Sequence, residues 1–308
     1  MTASLLIAQL LNGLQYGIML FLLAAGLTLV FGIMSFVNLA HGSLYMLGAY
    51  AAAVVGVQTG SFALGVLAAV ATGVVVGLAL EWVAVSRLYR RDHLDHVLAT
   101  FGLVLFFNEV VRMIWGAQPM FVSLPESLSG TVELFGFSYP SYRFLIIGVG
   151  LLVAAGSQWL IHKTRVGMLI RAGSVNPQMV GALGVNIRLL NAMLFALGAG
   201  LAALAGAMAG PILSVQSGMG EPVLITTLVV IVIGGIGSVH GALYAGIIVG
   251  LVDTLGRTFL PLLMREFADR EVAQAAGPAL ASMLIYLLMA AILAWKPQGL
   301  FPAHKGKS

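Results

Sequence analysis

Charged residues are scarce in this sequence. Only 8% of the 308 residues are Asp, Glu, Lys or Arg, whereas an average soluble domain has roughly 25%. The first charged residue is Glu81, so all the residues before it are uncharged. A stretch of that length would contain charged residues if it faced water. The shortage of charge excludes a soluble domain and indicates a membrane protein.

Cysteine is absent, which excludes disulfides, thiolate chemistry and Cys-rich metal sites. A basic signal-peptide start is also missing, because "MTASLLIAQLLNGL" has no Lys or Arg and runs on into apolar sequence; we expect a retained first helix. The net charge of +4 is spread over short loops, which favours orientation in a bilayer over nucleic-acid binding.

Eight stretches are apolar enough to provide the about 20 residues that a transmembrane helix needs. They cover residues 5–30, 34–57, 62–86, 97–115, 143–162, 189–213, 222–256 and 279–295. The seventh stretch is too long for one span and short for two. We predict an all-α, polytopic helical bundle that forms a single membrane domain over residues 1–308.

Loop charges predict which ends of the helices face the cytoplasm. Residues 163–188 hold four basic and no acidic residues, and residues 87–91 hold three arginines, so both are predicted to be cytoplasmic. Residues 116–142 lack Lys and Arg and are predicted to face outward. The Lys-containing tail after residue 295 is also predicted to lie inside. Because the sixth stretch leads outward from Arg188, the seventh must enter and leave the membrane on the same side or cross it twice. A helix, a break and a second helix within 222–256 would do this.

A short motif occurs twice. "AHGSLY" at 40–45 is echoed by "VHGALY" at 239–244, and each copy follows a Gly-containing stretch. Paired interrupted segments are typical of transporters built from internal repeats. We therefore predict two interrupted helices, in repeat-like halves at about 1–160 and 189–300 that flank a cytoplasmic segment, 163–188.

The polar and glycine residues at the two breaks are predicted to line a translocation path or to form the helix breaks. They are Asn38, His41, Gly42, Gly234, Gly235, Ser238, His240 and Gly241. The plainer interpretation is that both histidines bond backbone carbonyls and hold the breaks together, because polar groups in lipid need partners. Contact with solute is the alternative.

The cytoplasmic segment contains "GSVNPQMVGALGVNI". Asn176 followed by Pro177 predicts a helix start, and Gly184 predicts its end about two turns later. So short a helix is marginal in water. It is held either by packing on its own membrane helices or by docking into a groove on a partner.

Few acids lie in the apolar stretches. Glu109 and Arg112 are spaced to pair on one helical face, and Asp253 is expected to be interfacial rather than buried. Residues 92–96 ("DHLDH") predict a solvated turn rather than a metal site. Neither a Walker A motif nor a GxSxG elbow occurs, so the sequence offers no means of hydrolysing ATP or an ester.

Five motifs together resemble one known family. They are "NGLQYGIMLFLLAAGLTLVFGIMSFVNLAHGSLYMLGAY", "LATFGLVLFFNEVVRMIWG", "TRVGMLIRAGSVNPQMVGALGVNI", "VVIVIGGIGSVHGALYAGIIVG" and "WKPQGLFP". In this order, over nearly the whole chain, they resemble the H-type subunit of the branched-chain amino-acid ABC importer permease family. One departure is Ser43, where many relatives carry an acid directly after His-Gly.

The resemblance implies a bacterial inner-membrane permease subunit of an ATP-driven importer, not an enzyme, with no cofactor or metal. The implied partners are a second homologous permease, two cytoplasmic ATP-binding subunits and a periplasmic solute-binding protein. It also implies that one set of residues couples the chain to the ATPase. These residues are Arg171, Ala172, Asn176, Pro177, Gly181 and Gly184.

The implied solutes are branched-chain amino acids or related small polar molecules, since similar permeases are assigned to urea, short amides or aromatic acids. Two other functions remain alternatives. One is a proton-coupled secondary transporter that uses Glu109, Asp253 or the histidines as proton carriers. The other is an intramembrane enzyme that uses His41 and His240.

Overall fold

Helices dominate the computed structural model of the chain, which describes residues 3–34, 36, 38–89, 91–134, 137–266 and 269–302. A helix satisfies its own backbone hydrogen bonds, as hydrocarbon requires. The helices are α1 (Ala3–Met34), α2 (His41–Thr59), α3 (Phe62–Leu80), α4 (Ser86–Leu88), α5 (His93–Trp115), α6 (Glu126–Ser129), α7 (Ser141–Lys163), α8 (Arg165–Val175), α9 (Pro177–Ala182), α10 (Ile187–Ala209), α11 (Gly220–Gly234), α12 (Val239–Met264) and α13 (Arg270–Trp295). The basic residues Arg90, Lys305 and Lys307 lie outside the described residues.

Seven helical stretches of the described chain are long and apolar enough to cross a membrane. They are Ser4–Gly32, Phe62–Leu88, His93–Trp115, Ser141–Lys163, Ile187–Ala209, Val239–Met264 and Gln274–Trp295. The prediction of an all-α, polytopic membrane protein is confirmed. A short antiparallel hairpin of β1 (Thr131–Leu134) and β2 (Phe137–Pro140) was not predicted.

The second predicted stretch, 34–57, was wrong at its start. α1 continues to Met34, and α2 begins only at His41, whose backbone N–H donates to the carbonyl of Asn38 at 3.3 Å. The predicted break in the seventh stretch is confirmed, because α11 and α12 are separated by residues 235–238.

Glu81, the first charged residue, is buried in a π-helical turn (Glu81–Val85) between α3 and α4. Tyr89 lies one residue beyond the membrane-spanning stretch Phe62–Leu88. Its hydroxyl donates to Glu81 Oε1 at 2.9 Å. Burial, reinforced by this hydrogen bond, raises the pKa of Tyr89 above its ordinary value. The buried carboxylate therefore has a hydrogen-bond donor, as a charge in this position needs.

The bundle has two ends that can be told apart by contacts between distant loops. At one end, which we call the outer end, Met120 and Val215 exchange backbone hydrogen bonds of 2.8 and 2.9 Å. At the other, the inner end, residues from α8 and from 297–302 line one cavity. This arrangement agrees with the loop charges, which predict 163–188 and the C-terminal tail on the same side.

Glycines let the helices approach closely where α1 crosses α12. A Cβ built at Gly17 would lie 2.5 Å from the carbonyl oxygen of Gly246, and one at Gly13 would lie 2.9 Å from Cα of Leu251. Lipid tails are as apolar as leucine, so helices in a bilayer associate by such close packing rather than by the hydrophobic effect. α1 and α12 are therefore held by backbone-to-backbone contact.

We expect Gly17→Ala to destabilise the bundle by about 1–3 kcal/mol, since the added methyl overpacks a contact made by backbone atoms. Thermal unfolding of the detergent-solubilised protein measures this. Gly148→Ala on α7 is the matched control, because nothing lies within 4 Å of its added Cβ. Equal unfolding temperatures for both variants would contradict the α1–α12 packing.

Candidate functional site

The first break brings His41 against the middle of α1. Its side chain is 1% exposed, and its Nε2 lies 3.2 Å from the backbone carbonyl oxygen of Leu23. Since a carbonyl only accepts, this ring nitrogen donates. His41 thus attaches the start of α2 to α1. This contact is the one expected if the histidine bonds a backbone carbonyl and holds the first break together.

The start of α2 also meets the start of α11. A Cβ at Gly42 would lie 2.7 Å from the carbonyl oxygen of Gly220, so the two helices touch at their first turns. Nearby in sequence, Asn38 is 2% exposed. Within the described chain, its side-chain amide and the buried hydroxyl of Ser43 have no hydrogen-bond partner. Buried polar groups of this kind are usually paired with protein, water or ligand, so this is the polar centre of the first break.

The second break is a tight turn with its own cap. Ser238 Oγ accepts a hydrogen bond from the backbone N–H of Gly241 at 3.0 Å, which begins α12. Gly235 has φ +98°, a conformation that side chains with a Cβ rarely adopt. A Cβ at Gly234 would lie 2.5 Å from the carbonyl carbon of Gly241, so the two arms of the break touch.

The motif "WKPQGLFP" supplies further backbone hydrogen bonds to this break. The backbone N–H groups of Leu300 and Phe301 donate to the carbonyls of Ile233 and Gly234 at 2.8 and 3.0 Å. The last carbonyls of a helix have no partner within it. The C-terminal residues supply donors to the end of α11, a role that the sequence did not reveal.

His240 lies in different surroundings from His41. Its side chain is exposed and contacts the side-chain amide of Gln158 on α7, and its ring centroid is 6.0 Å from that of His162. The "AHGSLY" and "VHGALY" motifs therefore both start helices but place their histidines differently. Gln158 and His162 lie in no motif that would have marked them in the sequence.

A cavity of ≈ 740 Å³ opens at the inner end beside His240. It brings together Ser238 and His240 from the second break with Arg171 from the segment 163–188, whereas the sequence predicted two different roles for these residues. Its lining also includes Thr28, Leu29, Phe31, Gly32, Gln158, Ile161, His162, Ile170, Ser174, Val175, Val232, Ile236, Gly237, Val239, Leu293, Pro297, Gln298 and Pro302.

The cytoplasmic segment is a chain of capped helices. Asn176 Oδ1 accepts from the N–H of Met179 at 3.0 Å, Pro177 is the first residue of α9, and Gly184 has φ +88°. The predicted short helix is therefore confirmed with its start at the predicted residues, and it ends at Ala182, two residues before Gly184. Two further caps, Thr164 for α8 and Asn186 for α10, were not predicted, nor was α8.

The remaining predicted coupling residues lie around these helix ends. The carbonyl of Ala172 accepts from the N–H of Asn176 at 3.1 Å, and that of Gly181 accepts from Gly184 at 3.0 Å. The guanidinium of Arg171 donates to the carbonyl of Ile161. This contact fixes α8 to the end of α7, so the segment is tied to the membrane helices.

Large apolar side chains are exposed on α9 and at its C-cap residue, Leu183. Met179 is 65% and Leu183 is 80% exposed, whereas Val180 between them is buried. One side of the segment thus packs on the bundle while the other presents apolar surface at the inner end. Exposed apolar patches of this kind mark interaction sites.

Two acids of the apolar stretches are paired with arginines. Glu109 Oε2 lies 3.5 Å from Arg112, as predicted. Asp253 was expected at the interface, but this was wrong: it is 6% exposed and accepts from Arg257 Nε at 2.8 Å, which permits its burial. In the described part of the chain, no three His, Cys, Asp or Glu side chains are grouped as metal ligands.

Seven helical stretches of the described chain that are long and apolar enough to cross a membrane define the class: a multi-pass membrane protein. Residues 9–293 match the family described as the branched-chain amino acid transport system permease component. The chain belongs to this family, and the recognition made from its motifs is confirmed.

Individual relatives agree with this family. The chain is 31% identical over 265 residues to the high-affinity branched-chain amino acid transport system permease protein BraD of Pseudomonas aeruginosa, covering 80% of this chain and 85% of that protein. It is 29% identical over 273 residues to LivH of Escherichia coli K12, covering 82% and 86%. It is also 26% identical over 255 residues to the ribose import permease protein RbsC of the same strain, covering 80% and 77%. These relatives are transport subunits rather than enzymes.

We expect His41→Leu to destabilise the protein by about 1–3 kcal/mol, because the carbonyl of Leu23 loses its side-chain donor at a buried site. His240→Leu is the matched control: the same change at an exposed position should stay within about 0.5 kcal/mol. Thermal unfolding in detergent compares the two. If His240→Leu were the more damaging variant, the assignment of the two histidines would be reversed.

Proposed function

We propose that this chain is the inner-membrane permease subunit of an ATP-driven importer that moves branched-chain amino acids, or a related small polar solute, into the cytoplasm. The observation that carries this proposal is the apolar surface of α9, with Met179 and Leu183 exposed on a capped helix at the inner end. Such a surface needs a cytoplasmic partner.

The partners follow from this role. A permease component is one part of a transport system, and the sequence holds no Walker A motif, so two cytoplasmic ATP-binding subunits would supply the energy. A second, homologous permease would complete the membrane unit, and a periplasmic solute-binding protein would deliver the solute at the outer end.

Coupling would run through the cytoplasmic segment. The caps at Thr164, Asn176 and Asn186 hold α8, α9 and the start of α10 in fixed geometry, and Arg171 ties α8 to α7. A segment fixed in this way would transmit movement of an ATPase docked on α9 to the membrane helices.

The solute route would pass the first break. Asn38 and Ser43 are buried polar side chains that solute or water could satisfy, and the touching N-termini of α2 and α11 provide partial positive charge for a carboxylate. His41, Gly42, Gly234, Gly235, Ser238 and Gly241 would serve mainly to build the two breaks. The names of BraD and LivH favour branched-chain amino acids, whereas RbsC carries the name of a sugar permease.

The proton-coupled alternative is less well supported. Asp253 and Glu109 are both paired with arginines, so neither side chain is an unpaired carboxylate that could serve as a proton carrier. Uptake in ATP-depleted vesicles that keep a proton gradient separates the two functions. Continued uptake would support the secondary transporter.

We expect the double variant Met179→Glu, Leu183→Glu to lose ATP-driven uptake in reconstituted vesicles by about ten-fold or more. Two charges would replace the apolar side chains proposed to lie in the ATPase groove, and a carboxylate without a partner is strongly disfavoured in such an interface. The protein should still insert, since both side chains are exposed.

Gln178→Glu is the matched control, because Gln178 lies on the same helix and is also exposed. It should retain uptake. Co-purification of the ATP-binding subunits with each variant reports docking directly. Normal uptake and co-purification in the double variant would refute the docking assignment.

A further inference from the structure

We propose that the inner-end cavity binds the phosphate headgroup of an anionic phospholipid. The cavity lies between α1, α7, α8, the α11–α12 break and the C-terminal residues, and it is separate from the polar centre of the first break. Its volume of ≈ 740 Å³ is within the range of about 300–1,000 Å³ found for small-molecule sites.

The one charged side chain in the described lining of the cavity is basic. Arg171 lines it together with the imidazoles of His162 and His240, and none of the described residues that line it is acidic. No Asp or Glu occurs in the sequence between Glu133 and Glu221. An arginine with nearby imidazoles fits a phosphate monoester or diester, since guanidinium and phosphate match in geometry.

Neutral donors add to this anion site. The first turn of α12 contributes Val239 and His240 to the lining, so the positive end of a 26-residue helix faces the same space. Of the neutral side chains, Ser174 already donates to the carbonyl of Arg171 at 2.9 Å, and Gln158 contacts His240. The cation of Arg171, the imidazoles and the helix end therefore line one cavity.

Apolar side chains form several walls of the cavity, which distinguishes a lipid from a free anion. Leu29, Ile161, Val232, Ile236 and Leu293 form walls that a free phosphate would not contact and that a glycerol backbone and the start of an acyl chain would. A zwitterionic amino acid fits less well, because no carboxylate in the lining could pair with its ammonium group.

The depth of the site is that of lipid headgroups. Trp159 follows Gln158 on α7, and Tyr244 lies one turn beyond His240 on α12; both rings are exposed. Exposed Trp and Tyr are enriched where a membrane meets water. Basic pockets between transmembrane helices at the cytoplasmic face are the usual sites of anionic headgroups.

The test measures binding of dihexanoyl phosphatidylglycerol, dihexanoyl phosphatidylcholine and inorganic phosphate to the full-length chain in neutral detergent, by native mass spectrometry. Wild type should prefer phosphatidylglycerol by about ten-fold over phosphatidylcholine. Arg171→Gln should weaken phosphatidylglycerol by about five-fold. Ser174→Trp should reduce it to the phosphatidylcholine level by filling the cavity without changing charge.

Arg165→Gln is the matched control, because Arg165 is an exposed arginine of α8 that is not part of the lining. It should keep the wild-type preference. No ATPase or solute is needed, so this result is independent of the proposed transport function.

Four outcomes would overturn the proposal. The first is equal binding of the two lipids to wild type. The second is undiminished phosphatidylglycerol binding in both Arg171→Gln and Ser174→Trp. The third is a loss in Arg165→Gln as large as in Arg171→Gln, which would indicate general surface attraction. The fourth is inorganic phosphate binding as tightly as phosphatidylglycerol, which would indicate a free anion.

Discussion

The fold depends on satisfying backbone hydrogen bonds where helices stop inside an apolar bundle. A helix end that is buried away from water leaves N–H or C=O groups without a partner, so each broken helix needs donors and acceptors from elsewhere in the chain. At the first break the imidazole of His41 bonds Leu23 of α1. At the second, Ser238 caps α12, and the tail completes the end of α11 through Leu300 and Phe301.

Features that depend on neighbouring residues were readable from the sequence. Seven of the eight apolar stretches overlap a described helix able to span a membrane, the exception being 34–57. Asn176 and Pro177 indicated the start of α9, and the glycines near 235 indicated the second break. Burial and contacts that are set by distant residues were not readable. Asp253 pairs with Arg257 one turn away, but the sequence alone did not show that this helix face is buried. The matching His-Gly motifs suggested equivalent sites, yet His41 packs on α1 while His240 faces α7.

The cytoplasmic segment and the second break meet at one cavity. Their proximity could not be predicted from the sequence either. Arg171 lies 69 residues before His240 in the numbering, and only the folding of α8 beneath the bundle brings both to the same lining. If an ATPase docked on this segment moves α8, as proposed, it would move one wall of the cavity. An anionic phospholipid bound in the cavity would connect the same wall to the surrounding bilayer.

The bonds between the tail and α11 have a consequence for biogenesis. Ile233 and Gly234 leave the ribosome well before Leu300 and Phe301. During synthesis, the carbonyls at the end of α11 therefore lack these donors at first. Until Leu300 and Phe301 emerge, water or the insertion machinery has to satisfy these carbonyls. The second break can therefore close only after α13, which precedes these residues, has been made.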